Sequence, residues 1–221
     1  MRQNMMMATT LSLLFSLLVP QPVSGEHATG NLDRLHWLCS DYQLPVKGYV
    51  VEGWFSLPVY PGMQNKIMKQ LQIPEGQQTG HLRDGSMVNT SFTRREQTYY
   101  VELQLITEKF QTAARYYTLW QSFTERYHVN KPIGVTVIAQ LPEVLDDKTM
   151  QELGGELQGS LQPRQSQIHA EAGQVQMYGD SPQLEDGLRV GGEQVNYNIA
   201  FVQQEKTTAI YLGAPVIYQQ Y

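Results

Sequence analysis

The chain has 221 residues, 41% hydrophobic and 17% charged, enough to bury the core of one domain or of two small ones. Its formal net charge is −5 and Arg94-Arg95 is the only adjacent basic pair, which argues against a polynucleotide partner, since that needs clustered Lys and Arg to displace counterions from phosphate. With one cysteine, Cys39, no internal disulfide can form, so stability has to come from packing.

Residues 1–25 read as an export signal. Arg2 is the sole charge before Glu26, Leu11 to Val19 form a short apolar core, and Val23-Ser24-Gly25 offers small residues for cleavage after Gly25. The apolar run is shorter than the roughly 20 residues of a comfortable membrane span; retained, it would be a marginal anchor. The expected location is therefore extracytoplasmic, secreted or associated with the cell envelope. Cys39 lies too far beyond this segment, and behind the wrong residues (His36-Trp37-Leu38), to carry a lipid. It reads as a small buried apolar residue.

Asn31 to Ser40 fits a short helix with Leu32, Leu35 and Cys39 on one face and Asn31 as N-cap. Tyr49 to Phe55 reads as a strand ending at Leu57-Pro58. Met63, Ile67 and Leu71 mark a helix stopped by Ile73-Pro74. Asp84-Gly85 predicts a two-residue hairpin between 81–83 and 86–88. A strand from Thr98 to Ile106 follows, then the longest helix, Glu108 to Tyr127, with Thr107 as N-cap and Phe110, Ala113, Ala114, Tyr117, Trp120 and Thr124 inward. Lys131-Pro132 ends it.

The pattern then restarts. Val135, Val137, Ala139 and Leu141 alternate along a strand, and a helix from Asp146 carries Met150, Leu153 and Leu157 on one face, with a bend or frayed end expected at Gly154-Gly155. A hairpin is expected around Gly173. Ser181-Pro182 reads as the start of a helix bearing Leu184 and Leu188 and closed by Gly191-Gly192. Val195, Tyr197, Ile199 and Phe201 alternate along one strand, and Ala209 to Leu212 form its antiparallel neighbour, stopping at Gly213-Ala214-Pro215. Both halves open with a strand, Leu-Pro and an amphipathic helix. The expected fold is α+β in two layers, antiparallel sheets with helices on one face, built by duplication of a β-α-β-β unit: residues 26–130 and 131–221.

The ending Tyr211 to Tyr221, in which a strand gives way to Gly-small-Pro, two aliphatics and a terminal Tyr, resembles the YwmB family. Asn196 to Ala200 and the Gly134 to Leu157 strand–helix unit are similar as well. Those are exported proteins of spore-forming Gram-positive bacteria, labelled TATA-box-binding-like. The resemblance covers Ile133 to Tyr221 well and the first half loosely. It implies no catalytic residue, cofactor or metal.

Searching the side chains for chemistry yields little. The five histidines (His27, His36, His81, His128, His169) show no metal-binding spacing, and His169-Ala170-Glu171 is the only short candidate. Asp146-Asp147 reads as a helix-start pair complementing the dipole. Neither a nucleophile elbow nor a phosphate loop is present. Asn89-Thr90-Ser91 matches a glycosylation sequon by chance. Trp37, Trp54, Tyr99, Tyr100 and Tyr116 would either pack against the sheet or line a groove for a peptide or glycan. The expected function is non-catalytic binding of an envelope protein or glycan, without cofactor or metal. The alternatives are an envelope hydrolase assembled from distant residues such as His169 and Glu171, and nucleic-acid binding, which the acidity and export signal oppose.

Overall fold

The computed structural model describes residues 30–59, 62–73, 79–129, 133–185 and 187–215. The export signal, His27, Pro74, Lys131-Pro132 and the residues after Pro215 lie outside them.

The elements run α1 (Gly30–Asp41), β1 (Val46–Pro58), α2 (Met63–Gln70), β2 (Thr79–His81), β3 (Met87–Arg95), β4 (Thr98–Thr107), α3 (Phe110–Arg126), β5 (Gly134–Leu141), α4 (Asp147–Ser160), β6 (Gln165–Glu171), β7 (Gln174–Asp180), β8 (Leu188–Val190), β9 (Glu193–Val195), β10 (Tyr197–Gln203) and β11 (Thr208–Ala214). Nine strands make one antiparallel sheet in the order β2-β3-β4-β1-β5-β11-β10-β7-β6, and β8 and β9 form a separate small hairpin. The fold is α+β, as the alternating patterns predict.

The strand order has an internal pseudo-symmetry. In each half the first strand is followed by a helix and then by a meander that returns to lie beside that strand: β4 against β1, β11 against β5. The two first strands meet at the centre, with Val51 opposite Val135. One hydrogen-bonded sheet therefore carries both units.

Period-2 alternation sorts the side chains onto two faces. On one face Val51, Phe55, Leu103, Leu105, Val137, Ile210 and Phe201 are buried beneath the helices. Helix α3 covers β1 and β4, α1 lies over β5 and β11, and α4 over β7 and β10. In α3 the buried stripe is Ala113, Tyr116, Tyr117, Trp120, Phe123 and Thr124. Tyr116 and Phe123 widen the expected stripe: the Tyr116 hydroxyl donates to Gln72 O just after α2, and Phe123 packs on Phe55 of β1. Cys39 is fully buried, and desolvation raises its thiol to about 12.

Several local expectations are corrected. Asn31 does not cap α1; it lies inside the helix, where its side chain clamps the backbone of Glu185. Helix α3 starts two residues later than expected, because the Thr107 hydroxyl accepts from Lys109 N and from the Ser86 hydroxyl and is spent on the preceding turn. The Asp84-Gly85 hairpin has a longer loop: Leu82 N donates to Ser86 O, and Gly85 takes φ 90, a three-residue turn with a left-handed glycine.

Helix α4 runs unbroken through Gly154-Gly155. A Cβ on Gly154 would lie 2.5 Å from Met177 Cε, so that glycine lets the helix approach β7 closely. No helix follows Ser181-Pro182. Gly191 and Gly192 both adopt positive φ, 61° and 93°, which turns the chain between β8 and β9 instead of capping a helix. Asn196 fixes that segment, its amide accepting from Ser181 N and donating to Ser181 O and Leu184 O.

Candidate functional site

Among the described residues no helix packs on the opposite face of the sheet. There, in the first half, the outward rows are Val50, Glu52, Trp54 and Ser56 of β1 against Ile106, Gln104, Glu102 and Tyr100 of β4, and then Met87, Asn89, Ser91 and Thr93 of β3. The middle of these rows lines a hollow of about 490 Å³, formed by Glu52, Trp54, Thr79, Asn89, Ser91, Glu102 and Gln104 with the backbone of Gly53 and neighbouring strand residues. This lies within the volume range of small-molecule clefts.

A ladder of amides holds its floor. Asn89 Nδ2 donates to Gln104 Oε1 at 2.9 Å, and Gln104 Nε2 donates to Glu52 Oε1 at 2.8 Å. Each bond spans one strand pair in direct register, Asn89 opposite Gln104 and Gln104 opposite Glu52. The chain of dipoles ends on a carboxylate, which fixes the orientation of both amides. Burial pushes the Glu52 carboxyl above the usual carboxylate range, against the opposing pull of the Gln104 bond. Among the described residues neither Glu52 nor Glu102 is in an ion pair.

Trp54 stands opposite Glu102, is 55% exposed and lines the hollow together with the two carboxylates. Among the described residues no Lys or Arg contributes to the lining. On the other side of the sheet a Cβ at Gly53 would meet Ile133 Cδ1 at 2.9 Å, so a larger residue there would require the Ile133 side chain to shift.

A second hollow of about 520 Å³ lies at the sheet end beside Lys47, Asp84 and Lys109. Two acidic residues line it, Asp84 and Glu108, and Asp84 is already committed. Asp84 Oδ2 accepts from the Thr112 hydroxyl at 2.6 Å and Oδ1 from Ser86 N at 3.0 Å, and these bonds hold the carboxyl well below its ordinary range. Asp84 thereby ties the β2–β3 turn to the first turn of α3.

The residues singled out in the sequence scatter. His169 Nε2 meets Glu171 Oε1 at 3.1 Å on strand β6, with both side chains exposed. His36 is half-buried, bonded through Nδ1 to the Tyr49 hydroxyl at 2.9 Å and stacked on Phe110 at 4.4 Å. His81 and His128 are exposed. Among the described residues no group of three or more His, Cys, Asp or Glu is placed to hold a metal. Asp146 caps α4 by accepting from Thr149 N at 2.7 Å, and Asp147 accepts from Gly173 N.

The five aromatics divide. Tyr116 is core, and Tyr99 lies on the helix side. Trp37 is exposed beneath the Arg34 guanidinium at 4.4 Å. Trp54 and Tyr100 share the open face, Tyr100 with Arg95 over its ring at 5.6 Å. Asn89, noted only as a sequon, is half-buried in the amide ladder. Glu52, Glu102 and Gln104 carried no motif; their signal was the polar phase of two alternating strands, which names outward residues but not their cross-strand neighbours.

No family model matches the chain, and no curated protein matches it.

Proposed function

We propose that the protein is an exported, non-catalytic binding protein of the cell envelope, akin to the YwmB proteins it resembles, and that it binds a glycan in the Trp54 hollow. The observation that carries the reading is the indole of Trp54 beside a pre-oriented row of amide and carboxylate groups. A sugar ring offers a C–H face for an aromatic and adjacent hydroxyls for planar side-chain acceptors and donors, and pre-oriented groups lose little freedom on binding. A lining with two glutamates and, among the described residues, no Lys or Arg opposes a polyanionic strand in this hollow. The test is retention of the protein on immobilised envelope polysaccharide: wild type retained, Trp54→Ala washed through.

One observation favours a second reading, glycoside hydrolysis. Glu52 and Glu102 are diagonal neighbours across the β1–β4 pair, a spacing of about 7 Å, and burial raises the Glu52 carboxyl. Two carboxyl groups flanking a bound sugar are the arrangement of glycosidases. Reducing ends released from the retained polysaccharide, and lost with Glu52→Gln while retention persists, would establish hydrolysis over binding alone.

A further inference from the structure

Strand β6 ends the nine-stranded sheet, and all seven of its residues are exposed. Its hairpin with β7 turns through Ala172 and Gly173, with Gly173 at φ 78 and Glu171 opposite Gln174. In a two-residue hairpin the closing pair exchanges both backbone bonds. Alternating from there, Glu171, His169, Gln167 and Gln165 bond to β7, while the N–H and C=O of Ser166, Ile168 and Ala170 point off the sheet. The far side of β7 has the matching phase: Gln203 N donates to Gly173 O at 2.8 Å, which leaves the even-numbered residues of β7 for β6.

Exposed edges are commonly blunted by Lys, Pro or a bulge. Strand β6 has none of these, and its register with β7 runs unbroken. The small β8–β9 hairpin engages only β6 side chains: Gln165 Nε2 donates to Gln194 O and Gln167 Nε2 to Glu193 Oε2. Ile168 lies in the helix-side row yet is 55% exposed, because α4 packs over β7 and β10.

We infer that β6 pairs antiparallel with β6 of a second copy about a two-fold axis through Ile168. A two-fold axis normal to the sheet keeps both helix layers on one side and sets residues of like parity opposite each other. Centred on Ile168, it places Ile168 against the partner's Ile168 and Ser166 against the partner's Ala170. Every outward N–H and C=O of the strand then finds an acceptor or donor. Centred on Gln167 or His169, the pairing runs off one end of the strand and leaves some of them bare. Charge agrees with the Ile168 centre: Glu171 faces Gln165 and His169 faces Gln167, with no like charges opposed. On the helix side two exposed isoleucines cover one another. The opposite edge, β2, is only three residues long and gives an end-to-end chain little to pair with.

Sedimentation velocity of the full-length chain over a concentration series tests this. The expected result is a dimer–monomer equilibrium that stops at the dimer, shifted to monomer by Ile168→Pro with unchanged circular dichroism, since that residue's N–H points off an edge strand where proline is tolerated. Under mild oxidation Ile168→Cys links to itself across the axis, whereas Gln167→Cys and His169→Cys link only when combined in one chain. Buried Cys39 does not compete. A monomer at every concentration, a mass that keeps growing past the dimer, or Ile168→Cys linking no faster than His169→Cys alone overturns the proposal.

Discussion

Asn31 of helix α1 closes a two-point hydrogen bond on the backbone of Glu185: its Oδ1 accepts from Glu185 N at 2.8 Å and its Nδ2 donates to Glu185 O at 3.0 Å. The asparagine is buried and its partner is 154 residues away. This bond joins the first helix to the loop before β8, and so the beginning of the first unit to the second. Asn31→Ala leaves both backbone groups without that partner and lowers stability by about 2 kcal/mol. Asn31→Asp is no better, because its second oxygen faces a carbonyl. Urea unfolding monitored by circular dichroism checks both.

The neighbouring glycines of α4 separate close packing from helix propensity. Gly155 has nothing within 4 Å of an added Cβ, so Gly155→Ala stabilises by about 0.5–1 kcal/mol. At Gly154 the same Cβ meets Met177 and Phe201 at 2.5 and 3.0 Å, and Gly154→Ala destabilises by about 1–3 kcal/mol through overpacking. Opposite shifts in Tm at adjacent positions are the expected outcome; two upward shifts would refute the tight α4–β7 contact.

Glu52 carries a stability cost. Its carboxyl is raised by burial, so ionising it at neutral pH opposes folding. For a raised carboxyl the favourable contribution is present below the unfolded value of 4.5 and is lost as pH rises through the folded value. Glu52→Gln keeps an acceptor for Gln104 and removes the charge. Its Tm at neutral pH rises above wild type, because the buried charge is gone while the hydrogen bond stays. Calorimetry of the two proteins at neutral pH reads the sign directly.

His36 acts in the other direction. Desolvation lowers its pKa, with Asp33 opposing. A histidine depressed in the folded state gives its full support above the unfolded value of 6.5, and loses it as pH falls through the lower folded value. Stability therefore declines on mild acidification, and His36→Phe, which keeps the stack on Phe110, flattens that slope. Thermal melts on both sides of pH 6.5 check it.

Alternation and glycine placement made most of the fold legible. Val135 to Leu141, Tyr197 to Phe201 and the Tyr99 to Leu105 row each betray a half-buried strand through period 2 alone. Reading failed where local chemistry has two outcomes. Ser181-Pro182 starts helices in isolation, but here Asn196, at the junction of β9 and β10, holds that backbone as a turn. The β3–β4 turn at Glu96 and Gln97 uses a positive φ of 51° at Glu96, which no glycine announced. The hollow was legible only in part. Glu52, Trp54, Glu102 and Gln104 fall on the polar phase of their strands, yet what brings Asn89 to Gln104 and Gln104 to Glu52 is register, set by the meander and not by any spacing within one segment.

The most direct measurement is a titration of the protein with envelope-derived oligosaccharides, followed by amide chemical shifts. Saturable shifts that map to Glu52, Trp54, Asn89 and Gln104, and that vanish in Trp54→Ala while the rest of the spectrum is unchanged, are the predicted result. Shifts elsewhere on the molecule, or none in wild type across the whole set of oligosaccharides, would contradict the assignment of the open face as the binding surface.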